Sequence, residues 1–277
     1  MSVFEKLPDM RAWARRWGRR PFASVRDVFD GYVDEVPSAQ TAVDAVPGWT
    51  SALPPEARAR AGTVPLFEDG RIAWAIEQAG GVTGKRVLEI GPLEGAHTAM
   101  LVRAGAQVDA VEANRLAFLR CLVTKEIMGL AQARFHLGDA VRFLESREDT
   151  WDLVVASGVL YHMRDPIRFL ELIKARGKAV YLWTHYYDGE AMDEAARSVF
   201  DPAPVLREYE GRPIRLWRRT YRVAPADPRF CGGPRDEHYW MEKEGIEQVL
   251  EHPQCIKEGD PSVPSLSLIF RSKDAGH

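Results

Sequence analysis

Three short stretches concentrate side chains able to move protons or surround a cation: "YHMRDP" at 161–166, "THYYDGE" at 184–190 and "FCGGPRDEHYWM" at 230–241. Histidine changes charge near neutral pH and is the ordinary proton carrier of an active site. Tyrosine adds a donor and a large ring, and aromatic faces attract a positive centre. The catalytic candidates are therefore Tyr161, His162 and His185, and the substrate-side candidates are Tyr186, Tyr187, His238 and Trp240. Plainer roles compete with these: His162 as a loop histidine bonded to backbone, and His238 as a lid residue packed on Trp240. The spacing of His162, His185 and His238 carries no metal-ligand signature, and no metal is expected.

A second constellation lies upstream, in "VLEIGPLEGAHTAML" at 87–101. An apolar run ends in Glu89, two glycines follow at 91 and 95, and a helical pattern begins. Glycine permits unusual φ and lets a ligand approach the backbone closely. Glu112 lies twenty-one residues beyond Gly91 and closes the next apolar run. A carboxylate at such a strand end can accept both hydroxyls of a ribose. A pyrophosphate would need the G-x-G-x-x-G approach and would meet two acids, Glu89 and Glu94. A cationic ligand without phosphate suits the turn, and S-adenosylmethionine is such a ligand. The plainest alternative is that Gly91 and Gly95 punctuate a turn.

The elements that must position these residues follow from pattern. Between Lys85 and about Thr184, short apolar runs alternate with helical stretches: "RVLEIG", "QVDAVEA", "ARFHLGD", "WDLVVASG" and "KAVYLWTH" read as strands, separated by helices that glycines and Pro166 bound. This alternation predicts an α/β fold, a Rossmann-like doubly wound and mostly parallel sheet with helices on both faces. Continuous apolar strands such as "DLVVA" are what a sheet buried on both faces requires. Residues 1–80, broken by prolines and glycines, read as a helical N-terminal cap. Residues 81–277 read as the main domain, with a lid insertion at 186–240, a helix near 242–251 and two late strands at "CIKEG" and "LSLIFRS". Phe230-Cys231-Gly232-Gly233 reads as a hinge before a lid. Asp139 also fits an N-cap for the short helix after it.

Four stations in this order resemble the class I S-adenosylmethionine-dependent methyltransferases. "VLEIGPLEG" is similar to their first motif, with Leu93 in place of a middle glycine; "VDAVEAN", "LGDA" and "WDLVVASGVLYHMRDP" are similar to the next three. The resemblance implies cofactor contacts from Glu89, Gly91, Leu93, Gly95, Glu112, Ala113, Asp139, Ala140 and Ser157. It implies methyl transfer to an acceptor beyond the fourth and fifth strands. "GVLYHMRDP" also resembles the tRNA wobble-uridine carboxymethyltransferase family, in which Tyr161 would meet the extra carboxylate of a carboxylated cofactor. A non-catalytic cofactor-binding module is a further alternative.

Charge and composition narrow the partners. Lys plus Arg is 37 against 40 acids, net −3, which gives no general mandate for nucleic acid while leaving local patches open. Two arginine clusters qualify as patches: Arg11, Arg15 and Arg19 with Trp13 and Trp17, and "RPIRLWRRTYR" at 212–222. Both also read as solvated faces, and the expected partner is a small-molecule acceptor. No run of eighteen apolar residues and no signal peptide is visible, so neither a membrane span nor secretion is expected. The three dispersed cysteines fit a reducing cytoplasm. Oligomeric state leaves no trace in the sequence.

Overall fold

A computed structural model describes residues 32–221, 227–233, 235–251, 253–259 and 263–272. The Arg11/Arg15/Arg19 stripe, its tryptophans and Arg222 lie outside the described residues. The chain divides after Ser38, and the unit from Ala39 onward holds every element named below.

That unit opens with α1 (Ala39–Asp44), two single-turn 3-10 helices, and α2 (Gly70–Gln78). The alternation then runs β1 (Arg86–Ile90), α3 (Ala96–Arg103), β2 (Gln107–Glu112), α4 (Arg115–Met128), β3 (Ala133–Leu137), α5 (Ala140–Glu145), β4 (Leu153–Ser157), α6 (Pro166–Arg176) and β5 (Ala179–His185). The insertion holds α7 (Glu194–Arg197), β6 (Val205–Tyr209), β7 (Arg212–Arg219) and β8 (His238–Met241). The chain closes with α8 (Lys243–Val249), β9 (Cys255–Glu258) and β10 (Ser265–Arg271).

Among the described residues, seven strands form one sheet in the order β3-β2-β1-β4-β5-β10-β9, and β6-β7-β8 form a second, antiparallel one. β3, β2, β1, β4 and β5 run parallel, and β10 pairs antiparallel with both of its neighbours. The strand order reverses between β1 and β4, where ligands of open α/β sheets bind.

The expected two-faced burial is present. Leu88, Ile90, Val154, Ala156, Val180 and Leu182 face one side and pack with Leu170 and Ile173 of α6 and Ile246 and Val249 of α8. Their strand neighbours Val87, Val108, Val155 and Tyr181 face the other, against Ile72 and Ala75 of α2 and Leu101 of α3. Side chains alternate faces along a strand, so each β residue must find its own helix layer. Hence α2 packs into the core on this face of the sheet.

Local chemistry sets the helix starts. Asp69 caps α2 by accepting the Arg71 N–H, Asn114 caps α4 by accepting from Leu116 and Ala117, and Asp165 with Pro166 starts α6. Asp139 caps α5 through the Arg142 N–H. β6 and β7 are joined by Glu210 and Gly211, both at positive φ, the pattern of a tight hairpin. Ile214 and Leu216 of β7 point inward while Arg212 and Arg215 are exposed; Arg215 pairs with Glu242 and Arg218 with Asp201. The described arginines of the second cluster thus lie on both faces of β7, Arg212 and Arg218 on one and Arg215 and Arg219 on the other.

Candidate active site

Register brings the ends of β1, β2 and β4 to one edge: Ile90 pairs with both Val111 and Ala156, and Ser157 sits opposite Trp183 of β5. Gly91 follows β1 at φ +70°, where a Cβ would stand 2.8 Å from Val159 Cγ2. A side chain there would be both strained and obstructed. Gly95, at φ +80°, opens α3 without a side-chain cap, so the first-turn N–H groups are not consumed by a capping residue. Leu93 also holds a left-handed φ of +57°, an unfavourable conformation for a residue with a Cβ. Its N–H donates to Glu112 Oε2 at 3.1 Å.

Three acids near this turn have different fates. Glu94 is spent internally: its oxygens accept the N–H groups of Thr50 and Ser51, and Arg120 Nε lies 3.6 Å away. The sequence reading counted it among the charges facing a ligand; the fold gives it a structural role. Glu112 is buried and accepts from Asn114 N at 2.7 Å as well as from Leu93. Burial raises its carboxyl above the usual range, while the backbone donors oppose the rise. Two N–H donors leave lone pairs on both oxygens for further partners. Glu89 is fully enclosed; the Thr98 hydroxyl donates to Oε2, and Oε1 has no partner. Burial raises its pKa, His97 and Thr98 oppose the rise, and Glu112 adds to it. An enclosed carboxylate oxygen without a donor is costly, and a positively charged ligand group would relieve it. The buried Ser157 hydroxyl is likewise without a partner. These orphaned groups and the glycine cradle fit a cationic, ribose-bearing cofactor. Ala113 follows β2 exposed, Asp139 is exposed at the α5 cap, and Ala140 packs against the core.

The lip of this edge is tied down by Arg120 of α4, which is enclosed. Its guanidinium donates to the carbonyls of Pro47, Gly48 and Pro228. Asn114 Nδ2 reaches the Phe230 carbonyl at 3.3 Å. Two segments distant in sequence, 47–51 and 227–230, therefore meet beside Glu112 and Glu94.

Beyond β4 and β5 an aromatic cleft gathers around Tyr161. Ring centroids lie 4.9 Å from it at His185, 5.6 Å at Trp240 and 6.1 Å at Trp183. His185 and Trp240 stack at 5.4 Å and 8°. Hydrogen bonds set the tautomers. His185 Nδ1 faces the Pro264 carbonyl at 3.2 Å, and His238 Nδ1 faces the Asp236 carbonyl at 2.9 Å. A carbonyl only accepts, so both rings donate from Nδ1 and keep a lone pair on Nε2. Tyr221 accepts the Gly233 N–H at 2.8 Å and lies 2.6 Å from His162 Nδ1, so that ring nitrogen is engaged by the loop. Burial, then His238 and the Arg219 charge, push His162 down to about 3. Burial lowers His185 too, the Pro264 bond opposing and Arg219 and Arg71 adding. Burial raises the Tyr161 hydroxyl well above the ordinary tyrosine value.

Not every candidate joins this cleft. Tyr187 stacks on Trp217 at 3.8 Å, beside Met192 and Phe200, within the segment that follows β5. Tyr186 packs against the core face containing α6 and α8. His238 is enclosed and stacks on Tyr221 at 4.1 Å, rather than on Trp240. Sequence reasoning missed Trp183, Tyr221, Arg71 and Asp69 as cleft residues. Trp183 was hidden in a strand read as core, and Tyr221 among the arginines. The one signal for Asp69 and Arg71 is the acid before "GRIAWAI", which marks a helix start.

A family model described as a methyltransferase domain matches residues 66–221. The tRNA U34 carboxymethyltransferase of Pseudomonas aeruginosa is 35% identical over 112 residues, 39% of this chain and 34% of that protein. The ribosomal RNA small subunit methyltransferase A of Pseudomonas fluorescens is 35% identical over 88 residues, 32% of each chain. The chain thus spans about a third of the length of these curated relatives. Among solved structures, the N-terminal domain of EvdMO1, crystallised with S-adenosylhomocysteine and D-fucose, superposes with a TM-score of 0.64 at 20% identity, covering 84% of this chain and 95% of that one. Magnesium protoporphyrin IX methyltransferase from Synechocystis PCC 6803, with bound S-adenosylhomocysteine, gives 0.51 at 14% identity, covering 89% and 92%. At these identities the likeness is one of fold.

Proposed function

From the premise that the chain belongs to the S-adenosylmethionine-dependent methyltransferases, we propose that it methylates a small-molecule acceptor held in the cleft around Tyr161. The observation that supports the acceptor class is the aromatic cluster beyond β4 and β5: the rings of Tyr161, Trp183, His185 and Trp240 contact one another, and Gly233 reaches His162 through Tyr221. Aromatic faces of this kind suit a ring-sized molecule.

The cofactor supplies an electrophilic methyl group. In this reading Glu112 holds its ribose, Glu89 and the α3 N-terminus meet its charged end, and Gly91 and Gly95 leave room for it. Leu93, Ala113, Ser157, Asp139 and Ala140 line the remainder. The protein's main task is alignment of acceptor and methyl. If the acceptor must lose a proton, His185 Nε2 is the group with a lone pair in the cleft. His162 instead has Nδ1 engaged by Tyr221, through which it holds the loop. Tyr187 and His238 support the lid that presents Trp240, and Tyr186 anchors the end of β5. The thiols of Cys121, buried, and Cys231, exposed, are both free, in keeping with a cytoplasmic home. Among the described residues, no helix is long and apolar enough to cross a membrane.

The test uses radiolabelled S-adenosylmethionine with a cell extract split into a low-mass fraction and total tRNA. Label in the low-mass fraction supports this reading. Label in tRNA contradicts it and favours a second one, supported by Tyr161 in "GVLYHMRDP" and the 35% likeness to the U34 carboxymethyltransferase. There the cofactor would be carboxylated, and mass spectrometry of the co-purifying ligand would reveal the added mass.

A further inference from the structure

One side chain at the cleft has no part in the scheme above. Arg71, from the first turn of α2, lays its guanidinium 4.2 Å over the Trp183 ring. Asp69 fixes it from behind: Arg71 Nε lies 3.0 Å from both Asp69 oxygens, and Nη2 lies 2.5 Å from Oδ2. His97 holds the same carboxylate at 2.9 Å. Against the upward pull of burial, these bonds keep Asp69 far below the ordinary carboxylate range, so the anchor stays ionised. A guanidinium held along one edge and stacked on an indole has lost its freedom before any ligand arrives. Its remaining nitrogen, Nη1, has no hydrogen-bond partner among the described residues.

Nor does the Tyr161 hydroxyl, and Tyr161 meets the same Trp183 ring edge-on. Two unspent donors thus border one indole. At the far wall the Arg219 guanidinium lies 5.4 Å from the Trp240 ring, which stacks on His185. Arg71 and Asp69 form an ion pair, and burial holds His162, His185 and His238 neutral at pH 7. A guanidinium-on-indole platform beside a phenolic hydroxyl suits negative charge on a flat molecule.

We propose that the acceptor carries an anionic group, a carboxylate or its equivalent, bound by Arg71 Nη1 and the Tyr161 hydroxyl in front of Trp183. This rests on the small-molecule reading and names its substrate class. The anion anchors one end of the acceptor, and the reacting atom lies toward His185.

The test needs no knowledge of the acceptor. Protein saturated with S-adenosylhomocysteine is titrated with 4-fluorobenzoate and with its uncharged analogue 4-fluorobenzamide, followed by fluorine NMR. The benzoate should bind at least ten-fold more tightly. Arg71→Met should shrink that preference below two-fold, and Arg71→Lys, which keeps the charge without the planar edge, should lose most of it. Equal binding of the two probes, binding of neither, or a preference unchanged in Arg71→Met would overturn the proposal. A parallel competition compares carboxylated with ordinary S-adenosylmethionine. A ten-fold preference for the carboxylated form that Arg71→Met erases would move the anion to the cofactor and equally overturn it. Failure to bind S-adenosylhomocysteine at all would instead strike the methyltransferase reading.

Discussion

At the scale of single residues, hydrogen bonds divide labour among histidines that composition alone treats as equivalent. His185 offers an Nε2 lone pair because a carbonyl holds its Nδ1 proton; His162 has its Nδ1 tied to Tyr221 and packs as part of the loop. For an acceptor that loses a proton, His185→Asn should lower kcat by about 100-fold or more, and His162→Asn by less than about ten-fold. The wild-type kcat should rise with pH through the lowered pKa of His185 and be flat at neutrality. Steady-state kinetics over pH 5–8 checks both, and the opposite ranking would return the base to His162. The positions of Glu112 and Gly91 at strand ends were legible in the sequence because the apolar runs stop there. Arg71 was not, because its meaning comes from Trp183, far along the chain, and nothing in the local spacing of either residue encodes their stacking. Glu94 was misjudged for the same reason: its partners Thr50, Ser51 and Arg120 are remote in sequence.

At the scale of elements, the sheet was readable nearly strand by strand, since apolar runs bounded by glycines leave few alternatives for a sheet buried on both faces. The lid was not. β6, β7 and β8 carry arginines and aromatics on a short antiparallel sheet, so alternation is diluted and the pattern of "RPIRLWRRTYR" reads as charge before it reads as strand. Residues 1–80 read as a helical cap because prolines and glycines break their periodicity, and within them α2 covers one core face. Ile72 has no exposed surface and sits among Val87, Val108 and Leu101. Ile72→Ala should therefore destabilise the whole domain by about 2–5 kcal/mol, read from the urea midpoint of the sheet's unfolding. A helix merely leaning on the domain would leave that midpoint unchanged.

At the scale of the molecule, a neutral-histidine cleft makes stability depend on acid. His162 ordinarily titrates near 6.5 and is pushed down to about 3, so the unfolded chain takes up a proton that the folded chain refuses. The resulting stability is fully present above pH 6.5 and is lost as pH falls toward 3, at up to about 1.4 kcal/mol per pH unit for each such histidine. His162→Gln should lose about 2 kcal/mol less than the wild type between pH 7 and pH 5 in urea titrations; an identical loss would show that His162 does not titrate as described. Cofactor binding turns on an acid at the end of β2 gripping the cofactor's sugar beside the glycine turn. The most direct measurement is calorimetric titration of S-adenosylhomocysteine into wild type, Glu112→Ala and His162→Ala. The account predicts one site per chain, weakened far more by Glu112→Ala than by His162→Ala; no binding to the wild type, or the reverse order of the two variants, would contradict it.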